Sequence, residues 1–327
     1  MKNRQPNYFI CKPLPDGTAD LIRYTGPRNV PFQLTIPDTV KGRTVTRIHS
    51  DAFQSCQQLT AITLPATLRE IGASAFSNCT SLTSIDIPEG VTLIGRSAFS
   101  RCQALRQVTL PRTLRELGAG AFRSCIQLTD IKLPEGLTTI GAHTFNCCNA
   151  LASIRLPKSL THIGYRAFSY CWTLAGVVLP EGLSAIGVGA FVHCYALSEL
   201  RLPMTLTSIG TAAFARCGLK HITLPEGITT IEENTFYESA LSSISLPDTL
   251  EAIRQFAFFR TRLRRIALPA SLTALGYDAL GCGTPENRYH PTLQSIDVIT
   301  GSPAERLVRE RCPWITCNSF SEQQSLP

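Results

Sequence analysis

No stretch of this 327-residue chain approaches the roughly 18–20 continuous apolar residues of a membrane-spanning helix, so no span is expected. The N-terminal MKNRQPNYFICKPLPDG starts basic but lacks the apolar core of a secretory signal, which predicts a cytoplasmic location by default. Blocks of five like charges are absent too, and a net charge of +7 is a modest excess that argues little about partners; a nucleic-acid partner is not expected. The 13 cysteines make up about 4% of the chain, well below the density of a disulfide scaffold. Nor is there a G-x-G-x-x-G or other phosphate loop, or a constrained pair of carboxylates. These absences leave a globular composition, 44% hydrophobic, with no visible active site.

What the chain does have is a repeat. LTAITLPATLREIGASAFSNCTS, LTSIDIPEGVTLIGRSAFSRCQA and LRQVTLPRTLRELGAGAFRSCIQ follow one another from Leu59. Units begin at Leu59, Leu82, Leu105, Leu128, Leu151, Leu174 and Leu197, each 23 residues after the last. Steps of 22 then lead to Leu219, Leu241 and Leu263, a longer insert precedes Leu293, and a partial unit over Phe32–Gln58 comes before the first full one. The consensus is L-x-x-I-x-L-P-x-x-L-x-x-I-G-x-x-A-F-x-x-C-x-x. Its L-x-x-I-x-L segment has period 2 and reads as a short strand. The proline lacks an amide hydrogen and ends the ladder. The I-G and A-F segments return the chain through a second short strand and an irregular turn. One such unit buries too little to order itself, so each must stack on its neighbours. The expected fold is an α/β solenoid, mostly β and irregular, of about eleven 22–23-residue coils with short parallel strands.

Both ends read as caps. YFICKPL and TADLIRY flank Pro-Asp-Gly, a hairpin signal over residues 8–24. Ser302-Pro303-Ala304-Glu305 carries an N-cap serine, a proline at N1 and a glutamate at N3, so a short helix should cover the last coil. The tail NSFSEQQSLP is expected to fray. The organisation is then residues 1–31 as the N-terminal cap, 32–300 as the solenoid, and 301–327 as the capping helix and tail.

The consensus, the opening DGTA…YTG…IPDTV-x-G-R-x-V-T-x-I and the closing IDVITGSPAE resemble the BspA-type, or Treponema pallidum-type, leucine-rich repeat family over residues 8–316. The resemblance implies a right-handed superhelix with parallel strands on one face. It also implies a non-enzymatic binding role, since bacterial members are often secreted or surface proteins that bind host or partner macromolecules. The family motif contains no catalytic residue, so none is carried over.

Eight cysteines, Cys56, Cys79, Cys102, Cys125, Cys148, Cys171, Cys194 and Cys217, recur every 23 residues as one column of the coil. They read as small buried hydrophobes. A disulfide ladder is disfavoured because in-register β-carbons lie slightly too far apart. A straight column does not converge on a metal, so no metal or cofactor is expected. Cys312 and Cys317 sit close enough in sequence to bridge, whereas Cys11 and Cys282 show no partner. In TFNCCNAL, His143 lies near Cys147 and Cys148, but nothing orients it as a base.

Specificity in a solenoid lies in the variable, solvent-facing positions. One such column, between the strand anchors, holds Lys132, Arg155 and Arg201, a basic stripe set beside Asp130 and Glu199. A second holds aromatics where other coils hold polar residues: Tyr170 and Trp172, then His193 and Tyr195, with Tyr165 nearby. Tyrosine and tryptophan on a polar surface mark contact hot spots. A third irregularity runs over Gly218–Arg262, where each coil loses a residue and the column cysteine becomes Ser239 and Thr261. A bend or dimer surface is expected there. The expected function is a non-catalytic binding module for a protein or glycan, an adhesion or surface-interaction protein of bacterial type. The alternative is an intracellular scaffold or self-assembling repeat protein, and a third reading makes the basic stripe a binder of anionic polymers.

Overall fold

The computed structural model describes residues 8–283 and 292–321. The insert before Leu293 and the last residues of the tail lie outside them. The chain divides into two units, Met1–Pro157 and Lys158–Pro327, and each is a β-solenoid of short parallel strands.

The first unit begins with the expected hairpin, Phe9–Pro13 antiparallel to Ala19–Tyr24. Asp16 closes its turn by accepting the Thr18 amide at 2.9 Å. The second hairpin strand is also the first rung of a parallel ladder that continues through Arg43–Ile48, Glu70–Ile71, Leu93–Ile94 and Glu116–Leu117. A second ladder, built from the L-x-x-I-x-L segments, pairs Ser84–Asp86 with Gln107–Thr109, and that strand with Asp130–Ile131. Its strands bury the central residue and expose the two flanking it. Each proline then opens a turn, its carbonyl accepting the amide three residues on, as from Leu68 to Pro65 at 3.1 Å. At Gly72 the I-G step requires glycine, because a β-carbon there would lie 2.6 Å from the Ser50 amide of the preceding coil.

At the centre runs a file of phenylalanines. Phe53, Phe76, Phe99, Phe122 and Phe145 stack with centroids 5.0–5.8 Å apart and rings within 7° of parallel. Tyr24 of the hairpin stacks on Phe53 at 5.8 Å and closes the file. The second unit repeats the arrangement from Phe168 through Phe191, Phe214 and Phe236 to Phe258, at 5.3–5.7 Å. One of its ladders joins Thr230–Ile231, Ala252–Ile253 and Ala274–Leu275.

The C-terminal cap forms as the sequence indicates. The helix Pro303–Arg311 starts at Ser302, whose hydroxyl accepts the Glu305 amide at 3.2 Å. Glu305 reaches back to the Gly301 amide at 2.7 Å. Residues 318–320, the start of the tail expected to fray, are instead ordered, because Thr316–Phe320 adds a parallel strand to Ser295–Ile299; the rest of that tail beyond 321 lies outside the described residues. Terminal strands of this kind lengthen the count to about 13 turns rather than eleven, since they add rungs without carrying the repeat consensus.

Candidate binding surface

The return turn of each coil, G-x-x-A-F-x-x-C, places two residues in the left-handed region. One of them directly precedes the column cysteine: Ser55, Asn78, Arg101, Ser124, Cys147, Tyr170, His193, Arg216, Glu238 and Arg260 all have φ between 52° and 62°. Such angles are uncommon for bulky side chains. Here they belong to the coil geometry and recur whatever the side chain, so they mark no local strain. The amide of each position bonds the next coil, as from Tyr170 to the Val192 carbonyl at 2.9 Å and from His193 to Ala215 at 3.0 Å. The backbone thus fixes a column of outward side chains one coil apart.

In the second unit that column becomes aromatic. Tyr170 and His193 stack at 4.4 Å, and Tyr195 meets His193 edge-on at 5.6 Å. The Tyr195 hydroxyl lies 2.7 Å from His193 Nδ1. Burial holds the His193 pKa below its ordinary value, and the Arg216 guanidinium adds to the shift. The ring is therefore neutral at neutral pH and shares a hydrogen bond with the Tyr195 hydroxyl through Nδ1. Trp172 is 49% exposed and Tyr195 is 55% exposed. Tyr165 sits in a different column, with Arg166 over its ring at 5.3 Å. The structure therefore joins Tyr170, His193 and Tyr195 in one contact set.

The basic positions fall in two places. Lys132 and Arg155 line a cleft of about 340 Å³ in the first unit together with Asp130 and Glu135. Arg201, in the second unit, lines a cleft of about 600 Å³ with Glu199, His221 and Glu226. Each cation thus lies among carboxylates.

The column cysteines do more than fill space. Cys79 Sγ donates to the Phe53 carbonyl of the preceding coil at 3.2 Å, and Cys102, Cys125, Cys148, Cys194 and Cys217 repeat the bond one coil on each time. Every described cysteine is a free thiol, Cys312 and Cys317 included. Burial pushes the Cys125 thiol up to about 12, and Cys147 is also raised by burial, so neither is an activated nucleophile. Among the described residues no group of three His, Cys, Asp or Glu side chains could hold a metal ion, and no helix is long and apolar enough to cross a membrane.

One feature escaped the sequence reading. Tyr237 stacks on Phe259 at 5.5 Å, and Phe256 meets Phe259 and Tyr277 edge-on at 5.5 and 5.6 Å. These rings line a cleft of about 530 Å³ with Asn234, Gln255 and Asp278. Aligning the position after the core phenylalanine exposes the signal: it runs Gln54, Ser77, Ser100, Arg123, then Tyr237 and Phe259.

A stacked-coil β-solenoid whose specificity-bearing side chains stand on an invariant backbone is the design of leucine-rich repeat proteins. The pattern of the BspA type leucine rich repeat region matches residues 46–175 and 161–282, in six copies. The chain belongs to this family. Among solved structures it is similar to the leucine-rich repeat protein of T. pallidum, with 34% identity over 59% of this chain and 89% of that one, at a TM-score of 0.56. A leucine-rich cell surface protein of Faecalibacterium prausnitzii is 24% identical over 98% of this chain and 95% of its own, at a TM-score of 0.62. A leucine-rich repeat protein of Bacteroides ovatus, also 24% identical, covers 98% of this chain and 100% of its own, at 0.58. Among curated proteins none matches.

Proposed function

We propose that this chain is a non-catalytic binding module that recognises a protein or glycan through the surface of Tyr170, Trp172, His193 and Tyr195, flanked by Tyr165. The observation that carries the reading is the ring set itself. Three contacting side chains and an exposed indole stand in columns that other coils fill mostly with polar or charged residues, such as Ser55, Asn78, Arg101, Gln57 and Thr80. Rings held by an ordered backbone lose little conformational freedom on binding and supply large contact area. A bacterial surface role, like that of the F. prausnitzii cell surface protein, fits such a surface.

The test is a panel of purified glycans and extracellular-matrix proteins, measured against the wild type and a Trp172→Ala/Tyr195→Ala variant. Loss of two central rings should weaken the bound partner by about 100-fold or more, with an unchanged melting temperature. A wild type that binds nothing on the panel, or a variant that binds equally well, overturns the proposal.

A further inference from the structure

Beside Tyr195 the coil changes length. Cys194-Tyr195-Ala196-Leu197 carries two residues between the column position and the next leucine. Cys217-Gly218-Leu219, Ser239-Ala240-Leu241 and Thr261-Arg262-Leu263 carry one. Where earlier coils project Gln57, Thr80, Gln103 or Trp172, two of these coils offer only a hydrogen or a methyl group. The space left is a cleft of about 590 Å³ walled by Tyr195, Arg216, Arg260 and Arg262, with Glu238 and Ser239.

Its electrostatics are one-sided. Glu238 bridges two of the arginines, with Oε2 at 2.9 Å from Arg216 Nε and Oε1 at 3.1 Å from an Arg260 Nη. That carboxylate fixes both guanidinium planes yet balances only one of three positive charges. Arg262 is exposed and, among the described residues, has no carboxylate partner. Behind the cleft wall lies a polar defect. Ser239 replaces the column cysteine and is only 3% exposed, and its Oγ makes no hydrogen bond. Its column neighbours do: Cys217 Sγ reaches the Phe191 carbonyl at 2.9 Å, and Thr261 Oγ1 the Phe258 carbonyl at 3.0 Å. Buried hydroxyls are rarely left unpaired, and this one lies behind the wall of the well.

We infer that the well binds the carboxylate of an acidic sugar, a hexuronate or sialate-type residue. A guanidinium fork matches a carboxylate with two parallel N–H···O bonds. The Tyr195 ring offers a flat face for the C–H side of a pyranose. The volume falls within the ~300–1,000 Å³ of small-molecule sites. The walls offer no apolar recess of the kind that anchors a peptide side chain, which favours the sugar over an acidic peptide. The inference rests on the aromatic-surface reading only for further units of the glycan, because the well stands on its own residues.

Isothermal titration with N-acetylneuraminate, a glucuronate-containing tetrasaccharide, a glucose tetrasaccharide and a hexaglutamate peptide tests it. At least one acidic sugar should bind and the neutral one should not, and the arm that binds tells uronate from sialate. Arg262→Gln, at an exposed position, should weaken that binding about tenfold or more. Ser239→Ala, which removes a hydroxyl sealed from the cleft, should leave that binding unchanged. Binding of neither acid, equal binding of the neutral sugar, tighter binding of hexaglutamate, or an Arg262→Gln variant with undiminished affinity each overturns the inference. If the Trp172→Ala/Tyr195→Ala variant still loses a panel partner in those cases, the surface reading survives and only the well is rejected.

Discussion

The two units share a backbone and differ in what they hang on it. Their phenylalanine files have nearly the same spacing, 5.0–5.8 Å in the first and 5.3–5.7 Å in the second. The left-handed column continues through both. Yet that column reads Ser55, Asn78, Arg101, Ser124 and Cys147 in the first unit, and Tyr170, His193, Arg216, Glu238 and Arg260 in the second. The first keeps every column cysteine, whereas the second ends the series at Ser239 and Thr261. A coil stacked through backbone hydrogen bonds and a buried ring leaves its outward positions free to vary. The rings of the second unit therefore stand on the same core as the smaller and polar residues of the first.

The comparison breaks first at the core. Phe99→Ala and Phe214→Ala should each destabilise by about 3–5 kcal/mol in chemical denaturation, because both rings are fully buried between stacked neighbours. A loss in one unit much smaller than in the other would show that the two files are not equivalent scaffolds. A smaller effect should follow from exchanging the column residues. Cys102→Ser puts a shorter, more polar group where a thiol reaches the Phe76 carbonyl at 3.1 Å, and should cost about 1–2 kcal/mol. Ser239→Cys restores the thiol and should stabilise by about 1 kcal/mol. If both exchanges destabilise equally, the serine is satisfied in solution and the column bond is not what distinguishes the units.

Period and punctuation made the fold readable. The 23-residue recurrence, the proline after each strand and the Ser302-to-Glu305 cap all correspond to observed elements. The terminal strand Thr316–Phe320 was not readable, because it gains its order from pairing with Ser295–Ile299 rather than from its own sequence. The aromatic column was visible as soon as the repeats were aligned, but the contacts within it depend on side-chain directions that alignment does not supply. The thiol-to-carbonyl bond was hidden for a similar reason. A buried small hydrophobe and a donor to the previous coil leave the same signature, an invariant cysteine. The shortened coils were seen as an irregularity, yet only the stacked structure shows that the missing residue opens a well beside Tyr195.

The smallest expected effect is a pH dependence confined to the second unit's column. Burial and the neighbouring Arg216 and Arg166 hold His193 below its ordinary pKa, against a weaker opposing pull from Glu238. A histidine depressed in the folded state binds its proton more readily when unfolded. Its contribution to stability is therefore complete above about pH 6.5 and is lost as pH falls from there through the lower folded value. Protonation also puts a hydrogen on both ring nitrogens, so that Nδ1 can then only donate to the Tyr195 hydroxyl oxygen. Asn78 occupies the same column in the first unit with the same left-handed backbone, so His193→Asn is a substitution the coil already tolerates. Melting curves at pH 7.5 and pH 5 should show a steeper loss for the wild type than for this variant, and the imidazole resonance should titrate below pH 6.5. Equal slopes, with a midpoint at or above the ordinary value, would mean that His193 is solvated and that the ring set is not organised before a partner arrives.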